Sequence, residues 1–289
     1  MITYNPKDWF KLIFQFHKSD TFRILLPNML LLGALTGGLV YYEVTHHVTF
    51  KSSTIFHQIL GFVLSMLLVF RINSAYDRWW EGRKHWGALV NNTRNLMVKL
   101  DSIIPEEHRK DKIYLKNLII TFVFSLKDHL KDTKQFKDIT DFEGFNREEF
   151  DKRSHKPNYV AGLIMKHIEK LRKQGVISDE RMLFVNAELQ SLLDITGACE
   201  RVKNTPIPFS YSMFLKKIIF IYVITMPIAF SIDFKYWAIP VVMLIFYAFA
   251  SIELISEEVE DPFGDDANDL PTQEISEKIK AGLNEIYPS

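Results

Sequence analysis

The stretch Ile55-Phe56-His57-Gln58-Ile59-Leu60-Gly61-Phe62-Val63-Leu64-Ser65-Met66-Leu67-Leu68-Val69-Phe70-Arg71-Ile72-Asn73-Ser74-Ala75-Tyr76-Asp77-Arg78-Trp79-Trp80-Glu81-Gly82-Arg83-Lys84-His85-Trp86 decides the fold. Its first half is apolar and suits hydrocarbon; its second half places tryptophans at a boundary and arginines beyond it. No Pro or Gly interrupts the switch before Gly82, so one helix is expected to carry both halves. A helix half in membrane and half in cytosol is suited to line an axial conduit.

Composition narrows the class. The chain has 289 residues, with 35 Lys and Arg against 35 Asp and Glu, so its formal net charge is zero. That balance argues against a nucleic-acid partner, which selects a basic excess. The single cysteine, Cys199, excludes an intrachain disulfide and a cysteine-rich metal knuckle. The start of the chain shows no short apolar core followed by a small-residue cleavage site, so no cleaved signal peptide is expected.

Four segments could span a bilayer: residues 21–42 with Gly33, Gly37 and Gly38 at close-packing spacing, 55–70, 214–230 with Pro227, and 237–252 with Pro240. The last three are near or below the usual ~20 residues. Basic residues crowd before the first span (Lys7, Lys11, Lys18, Arg23) and after the second (Arg71, Arg78, Arg83, Lys84). The intervening loops offer Lys51 and Lys235, so both termini and the centre are expected on the cytoplasmic side. The resulting division is an amphipathic segment over 1–20, two spans within 21–78, a helical cytosolic domain over 79–210, two spans within 211–256 and an acidic cytosolic tail over 257–289. Within the centre, residues 114–130 read as a buried core helix and 159–173 as an amphipathic helix with Gly175 at its C-cap. A long helix starts at Ser178 or Asp179 and ends before Pro206 and Pro208. No β-alternation persists, and the fold class is all-α.

Catalysis has little support: the chain lacks a phosphate-binding Gly loop, a Gly-x-Ser-x-Gly elbow and a His-Glu-x-x-His pair, and its nine histidines are scattered. His57 is the one ionisable residue that suggests chemistry at membrane depth. On the second span Phe62, Met66 and Phe70 recur four apart, followed on that face by Asn73 and Asp77 as pore-mouth candidates. Two readings fit this spacing: an ordinary packing stripe, or stacked apolar rings around an axis that gate by dewetting. The acidic stretch from Ser256 to Pro271 supplies hard oxygen donors but not the order of an EF-hand loop. A solvated linker or a partner for the central arginines competes there with a cation site.

Three stretches resemble the bestrophin family, in particular its bacterial members: Arg71 to Arg83, Gly197-Ala198-Cys199-Glu200-Arg201-Val202-Lys203-Asn204-Thr205-Pro206-Ile207-Pro208-Phe209, and Asp261-Pro262-Phe263-Gly264-Asp265-Asp266. The resemblance implies a homopentameric ion channel, five-fold symmetric around one axial pore. It assigns the neck to Phe62, Met66 and Phe70 and the cytosolic aperture to Glu180, where the family usually has an aliphatic residue. It matches Asp266 and Asp269 to the calcium-binding carboxylates of animal members, so they are a candidate cation site with the metal left unassigned. A ring of Glu180 carboxylates would favour cations.

The expectation is therefore a passive channel of a bacterial inner membrane for monovalent cations, sodium first, with no cofactor. The partners are further copies of itself, the lipid bilayer and permeant ions. The alternatives are an anion channel of the same fold, argued from Arg71 and Arg78, and a membrane-anchored interaction module without conduction.

Overall fold

A computed structural model describes residues 21–48, 54–131 and 134–288. The expected amphipathic segment over 1–20 and Lys51 lie outside the described residues. Among the described residues there is no strand; the order is α1 (Thr21–His46), α2 (Thr54–Ile103), α3 (Arg109–Leu130), α4 (Arg147–Lys152), α5 (Lys156–Lys173), α6 (Asp179–Asn204), α7 (Phe209–Phe234), α8 (Ala238–Glu260) and α9 (Thr272–Ile286). The chain forms two compact units: Met1–Trp79 with Pro206–Asp261 and Asp266–Asn268, and Trp80–Thr205 with Pro262–Asp265 and Asp269–Ser289. Helix α2 runs unbroken for 50 residues and belongs to both.

The first unit packs α1, the start of α2, α7 and α8. Its core is Leu32, Leu64, Leu68, Ile219, Tyr222, Val223, Met226 and Val242. Gly33 lets α1 approach α8 closely, since a Cβ there would meet Met243 Sδ at 2.8 Å. Gly61 does the same for α2 against α7, where a Cβ would stand 2.7 Å from Tyr222 Oη. Outside this core the surface is apolar: Leu30, Leu31, Phe56, Phe220 and Leu244 are all exposed. A water-facing surface does not carry so large an apolar area.

Among the described residues, three stretches are long and apolar enough to cross a membrane: Thr21–His46, Thr54–Ile103 and Asp179–Glu260. The third contains two separate apolar helices, α7 and α8, joined by a 3-10 turn at Lys235–Trp237. Both outrun the sequence expectation, at 26 and 23 residues. Bounding the spans by their apolar residues cut them short, because each helix continues into polar residues at its end. Pro240 is the third residue of α8, where its missing N–H has no intrahelical partner to lose.

The second unit is built around α3, whose Leu115, Leu118, Ile119, Phe122, Val123 and Leu126 are buried. This is the expected core helix, begun at Arg109 rather than residue 114. Ser178 caps α6, accepting from the Arg181 N–H, and Gly175 takes φ +77° after the C-cap of α5. The tail differs from expectation. Residues 272–286 form an amphipathic helix that buries Thr272, Ser276, Ile279 and Leu283 and packs on α3. Lys116 Nζ, itself buried, donates to the Tyr287 carbonyl at 3.0 Å. Four small or apolar residues at helical spacing carry that burial, and the surrounding acidic residues mask them in the sequence.

Candidate functional site

Helix α2 has two faces in the first unit. Gly61, Leu64, Leu68, Arg71 and Ala75 are buried, while Phe62, Met66, Phe70, Asn73 and Asp77 are exposed. Phe62 is 67% exposed, Met66 47% and Phe70 59%, so these three side chains do not pack into their own chain. The structure brings them together in one shallow apolar depression, with Ser65 and Val69 beside them. Neither neighbour was singled out in the sequence, although both lie at helical spacing on that face. Ser65 is inert there, since its hydroxyl donates to the Gly61 carbonyl at 2.8 Å.

On the opposite face, Arg71 is 1% exposed. Its Nη1 stands 2.7 Å from Glu260 Oε2 and its Nε 3.7 Å from Glu253 Oε2. Glu260 Oε1 accepts the Ile207 N–H at 2.6 Å, and its carbonyl accepts Arg78 Nε at 3.1 Å. One carboxylate thus ties α2, the re-entry into α7 and the end of α8. Arg71 and Arg78 are the sequence argument for an electropositive mouth; Arg71, buried and paired, presents no open charge to the Phe62 face. Trp79 Nε1 donates to the Asn268 carbonyl at 3.0 Å.

In the second unit, Glu180 lies in the first turn of α6 and is exposed. A hydrogen bond from the Ser178 hydroxyl holds its carboxyl below the usual carboxylate range. Arg172 engages Asp179 at 2.7 Å. Leu183, Ala187, Gln190 and Asp194 continue an exposed stripe from Glu180 along α6, with Leu183 76% exposed. The stripe went unnoticed because Leu183 sits in the apolar run Met182-Leu183-Phe184-Val185, which does not show by itself which of these residues faces outward.

The loop after α8 is compact: Leu270 N–H donates to the Pro262 carbonyl at 2.9 Å. Phe263 is buried against Gly82, where a Cβ would meet its ring at 3.1 Å. That contact is the physical content of two motif glycine and phenylalanine positions. Lys131 pairs with Asp265. Asp266 is exposed and Asp269 buried, and the described residues gather no group of three ligating side chains around them. Among the described residues such a group lies elsewhere, at His129, His155 and Glu200. The sequence read those histidines as scattered, because they stand 71 and 45 positions from Glu200.

A family profile described as bacterial/fungal bestrophin protein matches residues 1–285. The chain is 32% identical to a voltage-dependent anion channel-forming protein of Nostoc sp., over 99% of this chain and 94% of that one. It is 29% identical to a protein of the same description from Escherichia coli K12, over 98% and 93%. A crystal structure of a bestrophin homologue from Klebsiella pneumoniae superposes with a TM-score of 0.81 at 27% identity, covering 92% of this chain and all of that one.

Proposed function

The chain belongs to the bacterial and fungal bestrophin family, whose members are channel-forming membrane proteins and not enzymes; from that premise we propose that it conducts small monovalent ions passively across a bacterial inner membrane. Four helices cross the bilayer in this reading: α1, the first part of α2, α7 and α8. In this reading both termini and the second unit lie in the cytoplasm, the side favoured by the basic residues flanking the spans. Several copies, five by family resemblance, surround one axis.

The carrying observation is the exposed face of α2. Phe62, Met66 and Phe70 stand outward from a helix whose other face is fully engaged. Repeated around an axis they form an apolar neck whose width decides whether it is wetted. Asn73 and Asp77 extend the same face toward water. Glu180, in the other unit, is the candidate for the cytosolic aperture.

The sign of the ion follows the relatives. Both curated relatives described above are named for anion channels, and an uncharged neck admits either sign, so anions such as chloride come first. The comparisons give no support to the sodium specificity expected from the sequence. A second reading, cation conduction, rests on the exposed carboxylates of Asp77 and Glu180.

Recording single-channel currents from purified protein in a planar bilayer tests the proposal. Phe62→Ala/Met66→Ala/Phe70→Ala is expected to widen the neck and raise conductance severalfold. An unchanged conductance would make these side chains lipid or subunit contacts, and silence from the parent protein would favour an anchored interaction module.

A further inference from the structure

His129, His155 and Glu200 come from the ends of three different elements of the second unit. His129 lies in the last turn of α3, His155 is the N-cap of α5, and Glu200 lies near the end of α6. His129 Nε2 and His155 Nε2 each stand 2.7 Å from the same oxygen, Glu200 Oε1. The imidazole centroids are 4.5 Å apart, and all three side chains are half-buried. Two imidazoles converging on one carboxylate is a donor set that channel architecture does not explain.

From this geometry we propose that His129, His155 and Glu200 form a binding site for a divalent transition-metal ion of the zinc class. Two nitrogens and one carboxylate make the three-ligand set that zinc takes with a fourth position open. One oxygen ligand is too few for calcium or magnesium, which demand oxygen-rich shells. Ligand atoms of a tetrahedral zinc site stand roughly 3.3 Å apart, from bonds of about 2.0–2.1 Å. The three ligating atoms here lie within 4.8 Å of one another, so a small rotation of the Glu200 carboxylate admits the ion.

The protons balance without an outside acceptor. In the metal-free form His155 Nδ1 accepts the Asn158 N–H at 3.3 Å, which leaves the proton on Nε2 donated to Glu200. Loading moves that proton to Nδ1 and gives up the long capping bond. His129 Nε2, 2.7 Å from the same carboxylate oxygen, makes the same shift, its proton moving to Nδ1 so that Nε2 offers its lone pair to the ion. A cavity of about 330 Å³ adjoins the site, lined by His129, Lys131, Lys134, Glu200, Lys203 and Asn204. Its lysines disfavour a bare dication and select an anionic fourth ligand, such as hydroxide or phosphate.

The test uses the full chain in detergent after chelator treatment, titrated calorimetrically with zinc chloride. Saturation at one ion per chain is expected. His129→Ala and His155→Ala should each weaken binding by more than about tenfold, since even outer-shell changes cost about 10–100-fold. Equal binding by parent and both variants would place the metal elsewhere and overturn the assignment. Should a variant fail to fold, cobalt bound to the parent protein decides. A four-coordinate visible absorption band supports the site, and its absence at saturating cobalt refutes it.

Discussion

Arg71 Nη1 lies 2.7 Å from Glu260 Oε2, so the first arginine beyond the apolar half of α2 is neutralised by the last residue of α8. The pair is nearly inaccessible to water, with side chains 1% and 14% exposed. Removing one partner from such a site leaves a buried charge without compensation.

Arg71→Ala therefore removes the guanidinium that both Glu253 and Glu260 approach. A loss of about 3–5 kcal/mol is expected, read as a lowered thermal midpoint of the detergent-solubilised protein by circular dichroism. An unchanged midpoint would show that the pair is dispensable. Ion selectivity should not move, because Arg71 is turned away from the Phe62 face.

The two faces of α2 should separate stability from conduction. Leu64→Ala or Leu68→Ala opens a cavity in the first unit's core and is expected to cost about 2–5 kcal/mol. Phe62→Ala should leave the thermal midpoint of the isolated chain's fold nearly unchanged and alter current instead. Equal destabilisation by both kinds of change would mean that Phe62 packs in the assembly.

Gly82→Ala places a methyl 3.1 Å from both Phe263 Cζ and Pro262 Cγ. Phe263 is fully buried and has little room to yield. The expected loss is about 1–3 kcal/mol, accompanied by faster proteolysis of the 262–270 loop. Unaltered cleavage would show that the loop is held by other contacts.

The second unit should weaken in mild acid. Burial is the main cause that lowers the pKa of both His129 and His167 below the usual 6.5. The unfolded chain then takes up protons before the folded one, so stability is fully present above 6.5 and falls as the pH drops through and below that value. A thermal midpoint that declines between pH 7.5 and pH 5.5 is expected, and His129→Gln/His167→Gln should flatten the decline. A midpoint that rises toward acid would contradict this.

The continuity of α2 across the switch from apolar to aromatic and basic residues was legible because no Pro interrupts it, whereas its end at Ile103 was not read. The outward stripe Phe62, Met66 and Phe70 was legible as spacing, but its exposure was not, since the same period describes a packing stripe. Burial of Arg71 could not be read, because it depends on Glu253 and Glu260 arriving from almost two hundred residues away. Helix α9 was hidden by its acidic residues, and the His129, His155 and Glu200 cluster by sequence separation. Long-range convergence, rather than local propensity, is what the sequence withheld.

The measurement closest to the central claim is the reversal potential of the purified protein in a planar bilayer under a tenfold potassium chloride gradient. The account predicts a current that reverses near the chloride equilibrium potential. Reversal near the potassium potential would contradict the anion assignment and direct attention to Glu180 and Asp77, and a bilayer that stays silent would contradict conduction itself.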